Sequence, residues 1–267
     1  MWVREAHQLG LVVAIGLILM GGCRDSGKRA VNVVGSTSIQ PFAELLAQEY
    51  ERKHAGQLVE VQGGGSTAGL QAVANGLADV GMCSRGLKPG EKEFTPIVIA
   101  RDGLAIVVNP ANPVKDLTID QIRGLFSGTI SDWKDVGGTP GPVRMITREE
   151  GSGTRESFVH LVIGKKRIAR QALTQESNGA VKELVRGDPA AIGYMSLGLV
   201  GTDLKAVSIN GIHPSAANVL AGKYTLTRPF LFVTRGAVRP EAQKFIDYVV
   251  SNDGQKILES EGLVRAK

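Results

Sequence analysis

Three times along this chain an apolar, β-branched run empties into a loop of glycine and hydroxyl residues and then resumes with helical spacing. Residues 31–34 lead into Gly35-Ser36-Thr37-Ser38 and a helical pattern over about 41–53, with Phe42, Leu45, Leu46 and Tyr50 as its apolar stripe. Residues 58–62 meet Gly63-Gly64-Gly65-Ser66-Thr67, then a helix to about Asn75. Residues 143–147 run into Arg148-Glu149-Glu150-Gly151-Ser152-Gly153-Thr154, followed by Phe158, Leu161 and Val162 at helical spacing. Strand, tight loop and helix together are the unit of an α/β fold. Each loop ends at a helix start, where backbone N–H groups are free and the dipole adds partial positive charge. Glycine lets the backbone approach a ligand, hydroxyls add donors, and Arg148 adds a charged planar fork. The combination suits a small oxyanion. Taken alone, the third loop reads equally well as a helix cap beside a surface arginine.

The alternation continues. Residues 78–84, 96–100 and 103–108 read as strands, and Asn109-Pro110-Ala111-Asn112-Pro113 breaks the pattern as a passage into a second lobe. Thr118 with Gln121 forms a capping box for a helix to about Phe126, and a turn-rich stretch with Trp133 follows. Helices are expected over about 166–173 and 180–186, and strands over 191–195 and 205–209. Residues 224–233, which hold Arg228-Pro229, read as the return to the first lobe, before helices over 240–250 and 255–261. The 34 glycines and 5% aromatic content fit an α/β protein with many tight turns better than a β-sandwich.

The expected architecture is therefore α/β with two lobes, each a sheet flanked by helices, and a ligand cleft between them. The lobes comprise residues 30–107 plus 229–267, and residues 108–228, with hinges near 107–109 and 228–230. Strand ends of open α/β sheets carry ligands. That places the loop at 35–38, Ser66 and Ser84 on one wall and residues 148–154 on the other, with Arg85 either in the cleft or facing solvent.

The N-terminus stands apart from this fold. Arg4 gives a positive start, weakened by Glu5, and an apolar run over 9–20 ends in Gly21-Gly22-Cys23. The run is too short for a comfortable membrane span. Small residues before a cysteine resemble a bacterial lipoprotein signal over 1–22, with Cys23 as the lipidated residue and 23–29 as a tether; Met20 stands where leucine is usual. A plain secretory signal or a short anchor is the alternative. If Cys23 carries lipid, Cys83 is left without an intrachain partner, so core burial has to stabilise the fold.

Several function classes are excluded. The formal net charge is +5, but no lysine-arginine run interleaved with aromatics suggests nucleic acid. His54, His160 and His213 have no metal-site spacing, and neither a metal nor a cofactor is expected. Gly63, Gly65 and Ala68 fit a loose dinucleotide pattern but lack the acidic residue expected about 20 positions on. A serine hydrolase would need a nucleophile elbow and a base; no G-x-S-x-G occurs, and His160 lies two helical turns past Ser152.

The motifs GSTSIQPF, QGGGSTAG, ADVGMCSR, LFSGTISDWKDVGG and REEGSGTR, in this order, resemble the phosphate-binding proteins of bacterial ABC phosphate importers, the PstS type. The likeness runs from about Val31 to the C-terminal helix. It implies the two-lobe periplasmic-binding-protein fold of type II, closing like a jaw on inorganic phosphate. The implied ligand residues are Thr37 and Ser38, Ser66, then Arg148, Ser152, Gly153 and Thr154, with Ser84 as a further candidate. It also implies a monomer anchored outside the cytoplasm by lipid, delivering to membrane permease subunits. Another tetrahedral oxyanion (sulfate, molybdate, tungstate) and a phosphate sensor of the same fold are the alternatives. One departure concerns selectivity: Ser84 stands where some relatives have an aspartate that accepts the phosphate proton. Glu149 or Glu150 is a possible substitute acceptor, against a reading as solvent-facing charge at a helix start. Cys83 stands where serine is common and reads as a small packed residue.

Overall fold

The structure is a computed structural model and describes residues 30–266. The signal, the tether and Cys23 lie outside the described residues. The first unit is β1 (Val31–Gly35) and α1 (Gln40–Lys53), the second β2 (Val59–Gly63) and α2 (Ser66–Ala74), then β3 (Val80–Cys83). The runs expected at 96–100 and 103–108 are one strand, β4 (Thr95–Val108), because Arg101 and Asp102 continue the ladder rather than breaking it. After β5 (Asp116–Leu117), α3 (Ile119–Ser127) starts at the expected capping box: Thr118 Oγ1 accepts from the Gln121 N–H, and the Gln121 side chain accepts from the Thr118 N–H.

The third unit is β6 (Arg144–Arg148) and α4 (Gly153–Phe158), which widens into a π-helical turn over Val159–Ile163. The helix expected over 166–173 does not form. Gly164, at φ 62°, turns the chain, and the Ala169 N–H donates to the carbonyl of Phe126, so the segment is pinned as a loop before β7 (Leu173–Gln175). Then come α5 (Asn178–Gly187), capped by Ser177, and β8 (Ala191–Ser196). The strand expected over 205–209 is split into β9 (Lys205–Ala206) and β10 (Ser208–Ile209). The first pairs with β4, the second with β5. The chain closes with α6 (Ala216–Leu220), β11 (Thr227–Thr234), α7 (Pro240–Val250), α8 (Asn252–Ser260) and β12 (Val264–Arg265).

The main sheet has the order β2-β1-β3-β11-β4-β8-β6-β7. Its parallel members feed helices, as the βαβ pattern requires. Strand β4 is shared: Thr95–Gly103 pair antiparallel with β11, and Leu104–Val108 pair with β8. The apolar interior divides the same way. One cluster holds Val33, Phe42, Leu46, Ala100, Phe230 and Phe245; another holds Leu104, Ile106, Phe126, Phe158, Tyr194 and Leu226. The changeover falls between Ala100 and Leu104 on β4, and between Leu226, just before β11, and Phe230 on it.

Candidate functional site

The glycine- and hydroxyl-rich loops converge. Arg148 closes β6, and its side chain is only 1% exposed, which removes the surface-arginine alternative. The Nε atom donates to Glu149 Oε2 at 3.0 Å and to the Gln175 carbonyl at 3.2 Å. From Nη2 it donates to Glu149 Oε1 at 3.0 Å, the Glu176 carbonyl at 3.1 Å and Thr37 Oγ1 at 3.2 Å. The backbone beneath it is fixed as well: the Arg148 N–H donates to Tyr194 OH at 3.2 Å, and Arg155 Nη1 donates to the Arg148 carbonyl at 3.1 Å. Only Nη1 is buried without a hydrogen-bond partner. A buried guanidinium donor left unpaired is costly, so it marks where an acceptor belongs.

Around it stand the other expected residues. Ser38 Oγ lies 2.8 Å from Thr154 Oγ1, joining the first and third loops. The Ser84 N–H donates to Ser66 Oγ at 3.1 Å, and the two hydroxyls are 3.4 Å apart. Gly153 packs onto that pair so closely that a Cβ there would stand 2.3 Å from Ser66 Oγ and 2.7 Å from Ser84 Oγ. The Thr67 N–H donates to the Gly151 carbonyl at 3.1 Å, so the second and third loops also touch. Ser152 is the N-cap of α4, accepting from the Arg155 N–H at 3.3 Å, and is buried. Thr37, Ser38, Ser66, Ser84, Arg148, Ser152, Gly153 and Thr154 thus occupy one closed region.

Neighbouring candidates resolve differently. Arg85 is buried but engaged: it forms a fork–fork pair with Glu91 at 2.8 Å on both arms, and its Nε lies 3.0 Å from Glu156 Oε2. Burial works against its charge, and the Glu91 and Glu156 carboxylates outweigh that and raise its pKa. Glu149 is occupied by Arg148, and Glu150 is exposed. His160 is exposed, and Cys83 is buried, with burial pushing its thiol up, as expected of a packed residue.

Sequence reasoning missed three residues. Asp102 and Arg228 face each other across the β4–β11 ladder as register partners, and their side chains pair at 2.9 Å with 0% and 1% exposure. Arg228 then donates from Nη1 to Thr154 Oγ1 at 2.7 Å and from Nη2 to Ser38 Oγ at 3.1 Å. Asn178, the first residue of α5, donates from Nδ2 to Ser38 Oγ at 2.8 Å. Burial pushes the Asp102 carboxyl up and Arg228 down, while the pairing and the Ser196 hydroxyl oppose that shift on Asp102. A guanidinium begins so far above neutral pH that Arg228 stays charged. The available signal was a single carboxylate, beside Arg101, in the mostly apolar run 95–108 and a single arginine in the mostly apolar run 227–234.

The model of the PBP superfamily domain matches residues 24–253. Phosphate-binding protein PstS of Bacillus subtilis strain 168 is 31% identical over 232 residues, 85% of this chain and 77% of that protein. The chain belongs to the PstS family. A Clostridium perfringens substrate-binding protein assigned to a phosphate ABC transporter, solved with bound phosphate, superposes with a TM-score of 0.87. It is 35% identical and covers 90% of this chain and all of its own. An ABC-type phosphate transport receptor from Vibrio cholerae gives a TM-score of 0.74 at 36% identity, covering 88% of this chain and all of its own. The mixed α/β fold with flanking helices described above matches the fold of these periplasmic binding proteins.

Proposed function

We propose that the protein captures inorganic phosphate outside the cytoplasm and delivers it to the permease subunits of an ABC importer. The observation that carries this reading is Arg148 Nη1, buried and without an acceptor, among the hydroxyls of three converging loops. A small tetrahedral oxyanion supplies several acceptor oxygens at once, and preorganised dipoles replace its water shell. The names of the relatives point to phosphate among such anions. Ser152 is engaged as a helix cap and His160 is exposed, so the histidine is not placed to act as a base on that serine.

The ligand residues of this reading are Thr37, Ser38, Ser66, Ser84, Arg148, Ser152, Gly153 and Thr154. The two lobes close over the anion as a jaw. The packing changeover supports crossings at 101–103 on β4 and 227–229 on β11, the first a few residues before the boundary suggested by the sequence. Closure excludes water and strengthens each bond to the anion. Cys23 is the lipid attachment point; among the described residues no helix is long and apolar enough to cross a membrane. Cys23→Ser is expected to release the protein from membranes, and a membrane-bound variant of unchanged mass pattern would end the lipoprotein assignment. The test of the cargo is calorimetry of the mature protein with phosphate, sulfate, molybdate and tungstate. Phosphate is expected to bind tightest; a preference for one of the metal oxyanions would overturn the assignment.

A further inference from the structure

The hydroxyls of the site are not free rotors. Ser38 Oγ receives Asn178 Nδ2 at 2.8 Å and Arg228 Nη2 at 3.1 Å. The amide orientation of Asn178 is fixed, because its Oδ1 accepts from the Ser196 N–H at 3.3 Å. A hydroxyl oxygen has two lone pairs and one proton. With both lone pairs of Ser38 occupied by obligate donors, its own proton has to point away from them. Thr154 Oγ1 accepts from Arg228 Nη1 at 2.7 Å and stands 2.8 Å from Ser38 Oγ, so it takes the Ser38 proton and sends its own outward. Thr37 Oγ1 accepts from Arg148 Nη2 at 3.2 Å and from Asn178 Nδ2 at 3.5 Å, which turns its proton outward too. Arg228 keeps this role because Asp102 holds it, with Nε 3.0 Å from Oδ2, and the Ser196 hydroxyl donates to Asp102 Oδ1 at 2.9 Å.

We propose that Arg228 and Asn178 are positioning residues that turn the Ser38 proton onto Thr154 and thereby fix Thr154 as a donor, so that the cleft favours the doubly ionised form of its anion. The inference rests on the oxyanion reading above and deepens it. The carboxylates nearest the site are already committed, Glu149 to Arg148 and Asp102 to Arg228. No uncommitted carboxylate therefore faces the O–H groups of phosphate, of which the singly ionised form carries two and the doubly ionised form one. Binding the singly ionised form sets one more O–H against a donor, which costs more than the bond it replaces. A fully ionised anion of the same shape, such as sulfate, meets no such penalty.

The test is calorimetric titration of the mature protein with phosphate and with sulfate, at about pH 5.5 and about pH 8. Sulfate keeps one charge state across this range and so reports any titration of the protein itself. In the wild type the apparent phosphate affinity should rise more than tenfold with pH, sulfate affinity should stay level, and sulfate should displace phosphate. Asn178→Asp turns the Ser38 hydroxyl toward a carboxylate and should shrink the phosphate pH ratio severalfold. The double variant R228Q/D102N, which removes both buried charges together, should do the same. Ser84→Asp adds an acceptor and should also shrink the ratio while suppressing sulfate. A purely structural role for Asn178 or Arg228 would lower affinity equally at both pH values and leave the ratio unchanged, which overturns the proposal. If the double variant does not fold, Asn178→Asp decides alone. A wild-type phosphate affinity independent of pH, with sulfate excluded, overturns the proposal while leaving phosphate capture intact. Absence of binding by either anion overturns both.

Discussion

Arg148 and Thr37, 111 residues apart, meet at 3.2 Å, with the guanidinium Nη2 donating to the threonine hydroxyl. That contact ties the end of β6 to the loop after β1 and leaves Nη1 as the buried arm of the arginine without a partner. Arg148→Ala should weaken phosphate binding by about 1.5–3 kcal/mol, or roughly ten- to a hundredfold. Arg148→Lys should also weaken it, because an ammonium cannot hold Glu149 and Thr37 and still face the anion. Equilibrium binding of labelled phosphate measures both, and affinities equal to wild type would remove Arg148 from the site.

Glu156 on α4 bridges to the loop after β3, with Arg85 Nε at 3.0 Å and Lys88 Nζ at 2.6 Å. If the lobes close as a jaw, this is a latch that exists only in the closed form. Arg85 keeps Glu91 when Glu156 is removed, so no charge is stranded and the loss is modest. Glu156→Gln is expected to cost about 0.5–1 kcal/mol of affinity, roughly two- to fivefold. The effect should appear as faster phosphate release in stopped-flow and shrink at high salt. An unchanged release rate would mean that the bridge does not report closure.

The hydrogen bond from Arg85 holds the Glu91 carboxyl below the usual carboxylate range. A carboxylate with a lowered folded pKa stabilises the fold above its unfolded value. That stability is lost as pH falls through the folded value. Glu91→Gln should therefore cost about 1–2 kcal/mol near neutral pH and progressively less below about pH 4. Thermal melts of both proteins at about pH 7 and about pH 3.5 check this; a gap that stays constant or widens in acid would contradict it.

What the sequence discloses here is local, and what it conceals is long-range. The three loops are legible because glycine and hydroxyl residues between a β-branched run and a helical stripe leave few alternatives. The Thr118 capping box is legible for the same reason. Asp102 and Arg228 lie 126 residues apart and meet only through the antiparallel register of β4 and β11, which no periodicity encodes. Asn178 escapes notice because its role depends on where α5 begins relative to Ser38. The absent helix over 166–173 shows the opposite failure. Ile168, Ala169 and Ala172 have helical spacing, but packing against the second core and the bond to Phe126 hold them as a loop.

Gly153 offers the sharpest view of the site itself, since a single added methyl group there would stand against both Ser66 Oγ and Ser84 Oγ. The most direct test is calorimetric titration of phosphate into wild type and Gly153→Ala side by side, with circular dichroism and melting curves establishing that both are folded. Wild type should show saturable one-site binding, and the variant should bind about tenfold more weakly or worse, because relieving the overlap forces α4 away from the second loop. Equal binding by the two folded proteins, or no binding by wild type, would contradict the assignment of this cleft as the phosphate site.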